Sequence, residues 1–272
     1  MSLPLVSCVL PFSNAARLAL VRKAVNNFIR QHYTPYELII VNGTATPVLN
    51  NDIMETDAMR AAGCRVREVT VTPGANASIM KNIGLKQASG DWVICTDDDD
   101  YFHPARLMYQ MAHRRESRPC LLQYQLRLDI SAAFYQANDG PPPTTTIRPR
   151  LHLLRMDAGI PGTALFPRVE LSTGQPWLFD ETLETEEYAE LLVRMHQRGR
   201  LSVVCENHHS PLVSGLHWPL LSVALYHGTN LLPYEQFFAR VDPPGEGRSV
   251  GLTSADIEQL KVVLQSYNFK IQ

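Results

Sequence analysis

The chain has 272 residues, 45% hydrophobic and 19% charged, which excludes a disordered or fibrous protein and suffices for one large domain or two that share a core. Lys and Arg number 25 against 27 Asp and Glu, a formal charge of −2, so the broad basic field of a nonspecific nucleic-acid binder is absent, and only a local basic patch could serve phosphates. Five cysteines (Cys8, Cys64, Cys95, Cys120, Cys205) form no CxxC pair, which argues against a zinc site and for a reducing compartment.

The opening MSLPLVSCVLPF is apolar but lacks a basic leader and a small-residue cleavage site, so it reads as a strand over Leu5–Leu10. Nothing approaches the ~18 uninterrupted apolar residues of a membrane span, and the expected location is the cytoplasm. After Ser13-Asn14, apolar residues at Leu18, Val21, Val25, Phe28 and Ile29 predict a helix over Ala15–Gln31. Pro35 ends it. Glu37–Val41 is a continuous apolar strand that stops at Asn42-Gly43, and Val66–Val71 alternates as a third. Asn76–Ala88 is a helix closed by Gly90, and Trp92–Thr96 a fourth strand that runs into Asp97–Asp100. Strands this apolar are covered on both faces, which predicts a parallel sheet wrapped by helices with ligands at the carboxyl edge. Asn14, Asn42 and Asp97–Asp100 all fall at that edge.

The second half is less regular. Ala105–Arg115 is a helix, Leu121–Ile130 a strand, and Asn138–Thr146 a loop of Pro, Thr and Gly. Leu151–Arg155 and Gly162–Phe166 are strand-like. Glu184–Gly199 is an amphipathic helix with Tyr188, Leu191, Leu192 and Met195 on one face. Leu201–Cys205 is a last strand, and Pro219–Arg240 and Ser254–Tyr267 read as helices. The basic segments His113–Arg118 and Arg148–Arg155 could bind phosphates if they cluster, or simply be solvated.

The strongest chemical signal is TDDDDYFHP. Four successive carboxylates repel one another, and holding them close costs free energy unless a cation or solvent compensates. In an extended chain Asp97 and Asp99 point to one side and could face one metal. Carboxylate oxygens suit Mg²⁺ or Mn²⁺, which keeps waters and takes further ligands from a diphosphate. A solvated acidic turn is the alternative.

At this point the sequence resembles the inverting GT-A glycosyltransferases called family 2, in order over roughly residues 4–215. PLVSCVLPFSN resembles the family's opening strand and loop, and ELIIVNGT its second strand and nucleotide-contacting turn. NASIMKNIGLKQASGDWVICTDDDD resembles the helix and strand leading into the DxD motif. GTALFPRVELSTGQPWLFDETLETEEYAELLVRMHQRG resembles the acceptor-side segment with the catalytic base, and NHHSPLVS a later His-containing loop.

The resemblance implies an α/β fold of GT-A type: a mostly parallel Rossmann-like sheet flanked by helices, with an acceptor-side subdomain and C-terminal helices. Residues 1–103 would form the nucleotide-sugar half, 104–215 the acceptor half, and 216–272 a helical extension. It implies donor contacts from Pro11, Ser13, Asn14, Asn42, Lys81, Asp97 and Asp98, and a Mn²⁺ or Mg²⁺ ion on Asp99, Asp97 and His209. Asn42 stands where the family usually has Asp, in a turn one residue shorter, so the donor base is open; uridine ranks first, since Asn both donates to and accepts from a pyrimidine edge.

The implied reaction moves a sugar from a nucleoside diphosphate to an acceptor hydroxyl of a saccharide or other molecule in one inverting displacement. A carboxylate must take the hydroxyl proton, and the family carries an acidic pair seven residues before an Arg. Counting back from Arg194 puts Glu187 on the first acidic position and Tyr188 on the second. Glu187 and, with a shift of one residue, Glu186 are the candidate bases, and Glu184 a cap. His208 also lies in the metal-side loop; His103, His217, Trp177 and Trp218 have weaker claims. Two other readings stay open: a nucleotidyltransferase, which the Gly-free PFSNAARLA disfavours, and a nucleotide-sugar-binding module without a base.

Overall fold

Alternation along two apolar strands decides the layers. In the computed structural model, which describes residues 2–49, 56–129, 151–155, 160–183, 187–205 and 222–226, β1 is Val6–Phe12 and β2 is Tyr36–Asn42, both buried throughout. Cys8, Leu10 and Phe12 join Leu38 and Ile40 on one face, and Val9 joins Ile39 and Val41 on the other. A side chain every other residue supplies each face. On the first lie α1 (Leu18–Phe28) and α4 (Arg106–His113); on the second, α3 (Ala77–Gln87) and α5 (Glu187–Gln197).

Around β1 and β2 stand β3 (Arg65–Thr70) and β4 (Trp92–Cys95), all parallel. Short α2 (Asp57–Ala61) precedes β3. The sheet continues through β9 (Leu165–Pro167), β6 (Cys120–Leu122) and β10 (Val203–Cys205) in the order β10-β6-β9-β4-β1-β2-β3. β9 runs antiparallel to both neighbours, so the sheet is mixed but mostly parallel, as expected for the GT-A type. A second sheet, β5 (Tyr101–Phe102), β11 (Ser222–Tyr226), β7 (Tyr124–Asp129) and β8 (Leu151–Arg155), combines parallel and antiparallel pairs.

Three expectations are corrected. The helix expected over Ala15–Gln31 is a 3₁₀ turn, Ala15–Arg17, capped by Asn14 and continued by α1. The strand expected over Leu121–Ile130 divides at Gln123 between the two sheets. Residues 222–226, inside the helix expected over Pro219–Arg240 and the helical extension 216–272, form strand β11. An apolar run this short fits either period, and pairing with β5 and β7 decides it. The Asn138–Thr146 loop, the Ser254–Tyr267 helix and the remainder of 216–272 lie outside the described residues.

At the amino edge of the sheet, buried Glu37 accepts hydrogen bonds from Ser7 Oγ (2.6 Å), Ser89 N (2.6 Å) and Ser89 Oγ (2.8 Å). Burial pushes its pKa up, but these donors and the Arg67 guanidinium outweigh that and hold it below the ordinary value. All five cysteines are buried, and Cys120 and Cys205 meet across β6 and β10 with sulfurs 2.9 Å apart.

Gly84 sets how near α3 comes to the sheet. A Cβ there would stand 2.3 Å from Val9 Cγ1 and 3.1 Å from Val41 Cγ2. Ala in a helix interior gains about 1 kcal/mol of propensity over Gly, but overpacking a full core costs about 1–3 kcal/mol. Gly84→Ala should therefore lower stability in urea denaturation, whereas Gly162→Ala, with nothing within 4 Å of its added Cβ, should not.

Candidate active site

Parallel pairing places Phe12 beside Asn42 and Val9 beside Cys95, so the segments leaving β1, β2 and β4 share the carboxyl edge of the sheet. The Asp run begins two residues past β4. It turns rather than extends: Asp100 N donates to Asp97 O at 3.4 Å. The Asp97 side chain is therefore 53% exposed, while Asp98 and Asp99 are turned inward and buried. The carboxylates that share one cation are Asp98 and Asp99, not the alternating Asp97 and Asp99 of an extended chain. That cation is Arg17, 3.0 Å from Asp98 Oδ2 and 3.3 Å from Asp99 Oδ2.

Two more basic residues complete the compensation. Lys81 Nζ lies 3.3 Å from Asp97 Oδ1. Arg106 is fully buried over the Phe102 ring, 3.7 Å from its centre, and its charge acts on Asp100. Burial pulls the Arg106 pKa down to about 10 against the pull of Asp100. Burial, with neighbouring carboxylates, also pushes Asp98 and Asp100 well above the usual range, against Arg17 for the former and Arg106 for the latter. Sequence reading missed both arginines. The signal was the demand for compensation: Arg17 follows the loop after β1 at the same edge, and Arg106 opens the next helix.

Lys81 also meets Glu187, its Nζ 2.8 Å from Oε1, so one ammonium reaches the Asp run and the first residue of α5. It lies 4.2 Å from the centre of the Tyr188 ring and 5.6 Å from that of Phe179, with 1% of its side chain exposed. Burial works against its charge, but Asp97 and Glu187 prevail and hold its pKa well above normal. The contact is rigidly framed. Ser78 Oγ donates to Leu183 O, Asn82 Nδ2 to Phe179 O and Asn76 Nδ2 to Glu181 O, stitching α3 to the segment that precedes α5.

The remaining sequence candidates divide by what occupies them. Asn42 is 1% exposed, and its amide is fully used: Oδ1 accepts from Thr44 N and Oγ1, and Nδ2 donates to Thr46 O in its own turn and to Glu68 Oε1 on β3. Asn14 caps the 3₁₀ turn through Ala16 N, Ser13 beside it is exposed, and Pro11 is buried in β1. His103 Nδ1 accepts from Ala105 N, and burial with nearby His32 lowers its pKa to about 4, so a neutral imidazole braces the turn that leads into α4. Trp177 is core. In the basic segment, Arg114 and Arg118 donate to the carbonyls of Met111 and Leu201. Glu184, Glu186, His208, His209, His217 and Trp218 lie outside the described residues.

Among the described residues no group of three His, Cys, Asp or Glu side chains is arranged to hold a metal ion. The donors present still suit a hard divalent cation. The carboxylates are oxygen ligands, and buried Asp98 Oδ2 has no hydrogen bond, only its ion pair with Arg17. Such a set supplies one or two ligands and leaves the rest to waters and a diphosphate.

Removing one partner of a buried ion pair costs about 3–5 kcal/mol, whereas replacing both by apolar groups is often near neutral. Lys81→Met should therefore destabilise by roughly 3–5 kcal/mol, and Lys81→Met with Glu187→Leu should regain part of that loss. Urea denaturation of the two single variants and the double measures this; losses that simply add would contradict the coupling.

Residues 7–160 match the family described as Glycosyl transferase family 2. Relatives include glycosyl transferase WcaA of Escherichia coli K12, 26% identical over 136 residues, 50% of this chain and 43% of WcaA. Glycosyltransferase EpsJ of Bacillus subtilis 168 is 32% identical over 103 residues, 38% of this chain and 28% of EpsJ. The chain thus spans less than half the length of the curated relatives it matches. Among solved structures, S. aureus TarS in complex with UDP superposes with a TM-score of 0.51 at 15% identity, over 87% of this chain and 63% of that one. A mannosyltransferase from Pyrobaculum calidifontis in complex with GDP-Man and Mn²⁺ gives 0.51 at 15%, over 88% and 61%. At that identity the likeness shows the fold, a mostly parallel mixed sheet flanked by helices. Fold and matched residues together place the chain in glycosyl transferase family 2.

Proposed function

We propose that this protein transfers a sugar from a nucleoside diphosphate donor to an acceptor hydroxyl by a single inverting displacement. One observation carries the reading furthest in a chain of this family: Lys81 joins the exposed Asp97, the first residue of the acidic run, to Glu187 at the head of α5. The first is where the donor diphosphate would sit, and the second where the acceptor would present its hydroxyl.

Glu187 is the general base in this reading, with Glu186 the alternative. Lys81 occupies Oε1 of Glu187, which fixes the carboxylate so that its other oxygen takes the proton of the attacking hydroxyl. Inversion follows from attack on the face opposite the leaving diphosphate, and one base suffices for it. Asp99, Asp97 and His209 would hold a divalent ion, Mn²⁺ or Mg²⁺, which when bound offsets charge that develops on the departing diphosphate. Asp98, Pro11, Ser13 and Asn14 line the donor side. Asn42, with its amide spent on Thr44, Thr46 and Glu68, shapes the turn against which the nucleobase rests.

UDP is the ligand of the TarS structure and GDP-Man that of the mannosyltransferase, so donors of either base suit this fold, and a uridine donor is our first choice. The acceptor is a saccharide or another hydroxyl-bearing molecule. The buried cysteines suit a reducing, cytoplasmic setting, and no helix among the described residues is long and apolar enough to cross a membrane.

Unfolding with Mn²⁺ and either UDP or GDP tests donor binding, since a ligand at a hundred times its Kd stabilises by about 2.7 kcal/mol. The parent should be stabilised by the pair, and Asp99→Ala should lose the metal-dependent part with its fold intact. Glu187→Gln should retain donor binding while turnover falls about 10²-fold or more. Full activity in Glu187→Gln would remove the base assignment. Donor binding without transfer to any acceptor would leave a nucleotide-sugar-binding module.

A further inference from the structure

The basic segment His113–Arg118, which the transfer reaction does not use, belongs to a larger cluster at the opposite edge of the sheet. β4 and β6 both run antiparallel to β9, and β10 runs parallel to β6, so the starts of β4, β6 and β10 and the end of β9 share the amino edge. Asp91 and Asp97 bracket β4, which sets this edge about 20 Å from the acidic run. Glu116 and Ser117, before β6, share the walls of one open cavity with Arg168 and Leu171, after β9, and with Asp91 and Trp92. Arg200 Nη1 donates to Ser117 Oγ at 2.8 Å and Arg118 Nε to Leu201 O at 2.6 Å, which adds the segment before β10. Arg114 lies 5.8 Å from the centre of the Trp92 ring.

Six arginines gather here, Arg114, Arg115, Arg118, Arg168, Arg198 and Arg200, against three acids, Asp91, Glu116 and Glu170. Arg194 and Glu190, one turn earlier on α5, cancel as an ion pair. A chain of net charge −2 therefore carries a positive excess at this edge. Among the described residues, Arg168 and Arg200 each give the protein one of the five hydrogen bonds that a guanidinium can donate. Leu171 and Leu201 protrude between the arginines, 65% and 47% exposed. The loop that carries Leu171 is braced. Glu170 N donates to Gln175 O at 2.8 Å and Gly174 N to Glu170 O at 2.7 Å, while the Ser172 and Thr173 hydroxyls and Arg198 converge on the Glu170 carboxylate. The fold thus holds a leucine out into water beside a group of cations.

We propose that this edge docks on an anionic phospholipid surface, its arginines on the headgroup phosphates and Leu171 and Leu201 inserted among the acyl chains. Cations with interspersed protruding apolar side chains match the two layers of a membrane interface, charged outside and apolar beneath. A protein groove would instead have to fit both leucines at once. The proposal goes beyond the glycosyltransferase reading and stands apart from it, because the carboxyl edge faces away from the docked surface and remains open.

Sedimentation of the full chain with vesicles of phosphatidylcholine and about one-third phosphatidylserine, and with phosphatidylcholine alone, tests this. The parent should bind the mixed vesicles only, and lose them at about 1 M salt, where charges are screened within about 3 Å. Arg115→Gln, at an exposed position, should weaken binding about fivefold, the equivalent of about 1 kcal/mol for one arginine at an anionic surface. Leu171→Ser should weaken it about fivefold or more. Arg60→Gln, on α2 before the edge strand at the other end of the sheet, should leave it unchanged. Stabilisation by Mn²⁺ with UDP should persist in all three variants; its absence from a parent that binds vesicles would remove the donor reading and leave the docking edge. No vesicle binding by the parent, equal binding to phosphatidylcholine alone, or binding that Arg115→Gln and Leu171→Ser weaken no more than Arg60→Gln does would each overturn the proposal. Poly-glutamate bound in place of vesicles, and weakened by Arg115→Gln, would overturn it in favour of an acidic protein partner.

Discussion

Four carboxylates in succession at the end of a buried strand must be neutralised before anything else at this edge can be built. At an effective dielectric of 20, two charges 4 Å apart interact by about 4 kcal/mol, against a net stability of about 5–15 kcal/mol for a whole domain. Compensation is therefore a condition of folding. The cations come from three places: Arg17 after β1, Lys81 in the middle of α3 and Arg106 at the head of α4. Each ties its own element to the strand that ends in the acids, and so the run that holds the chemistry also organises the edge that surrounds it.

The sheet was legible because its strands are apolar enough to admit one interpretation, and α3 because Asn76 caps it and its length suits a helix. What escaped was polar. Ser78, Lys81 and Asn82 are buried, yet their partners Leu183, Glu187 and Phe179 lie about a hundred residues further along the chain. Periodicity registers where apolar side chains recur, and it is silent on a polar side chain whose burial is made tolerable by a distant group. The same blindness covers Arg17 and Arg106. The acidic run was recognised, but its local turn could not be read from alternation, which assumes an extended chain. Asn42 stood correctly at the end of β2, though its hydrogen bonds are spent on its own loop and on Glu68 of β3. β11 was misread because five apolar-rich residues carry no decisive period, and the pairing that resolves it comes from strands far away in sequence.

Helix α3 therefore works on two sides. Met80 and Leu85 join the apolar layer against the sheet, while Asn76, Ser78 and Asn82 hold residues 179–183 by hydrogen bonds. A helix used in this way has a weak apolar stripe, because part of its buried surface is polar. Residues 179–183 are thereby fixed to the same scaffold as the nucleotide-side strands, and α5 begins from a defined place.

Gly84 lies one helical turn beyond Lys81, on the same side of α3, and its missing side chain allows Val9 to fill the space between helix and strand. The two positions thus share one volume. A lineage that enlarges residue 84 must shrink residue 9, or else the helix rises from the sheet and carries the ammonium of residue 81 away from both carboxylates it joins. The reach of a charged side chain at the rim is in this way set by a methyl-sized allowance in the core, and substitutions at 9 and 84 should be inherited as a pair.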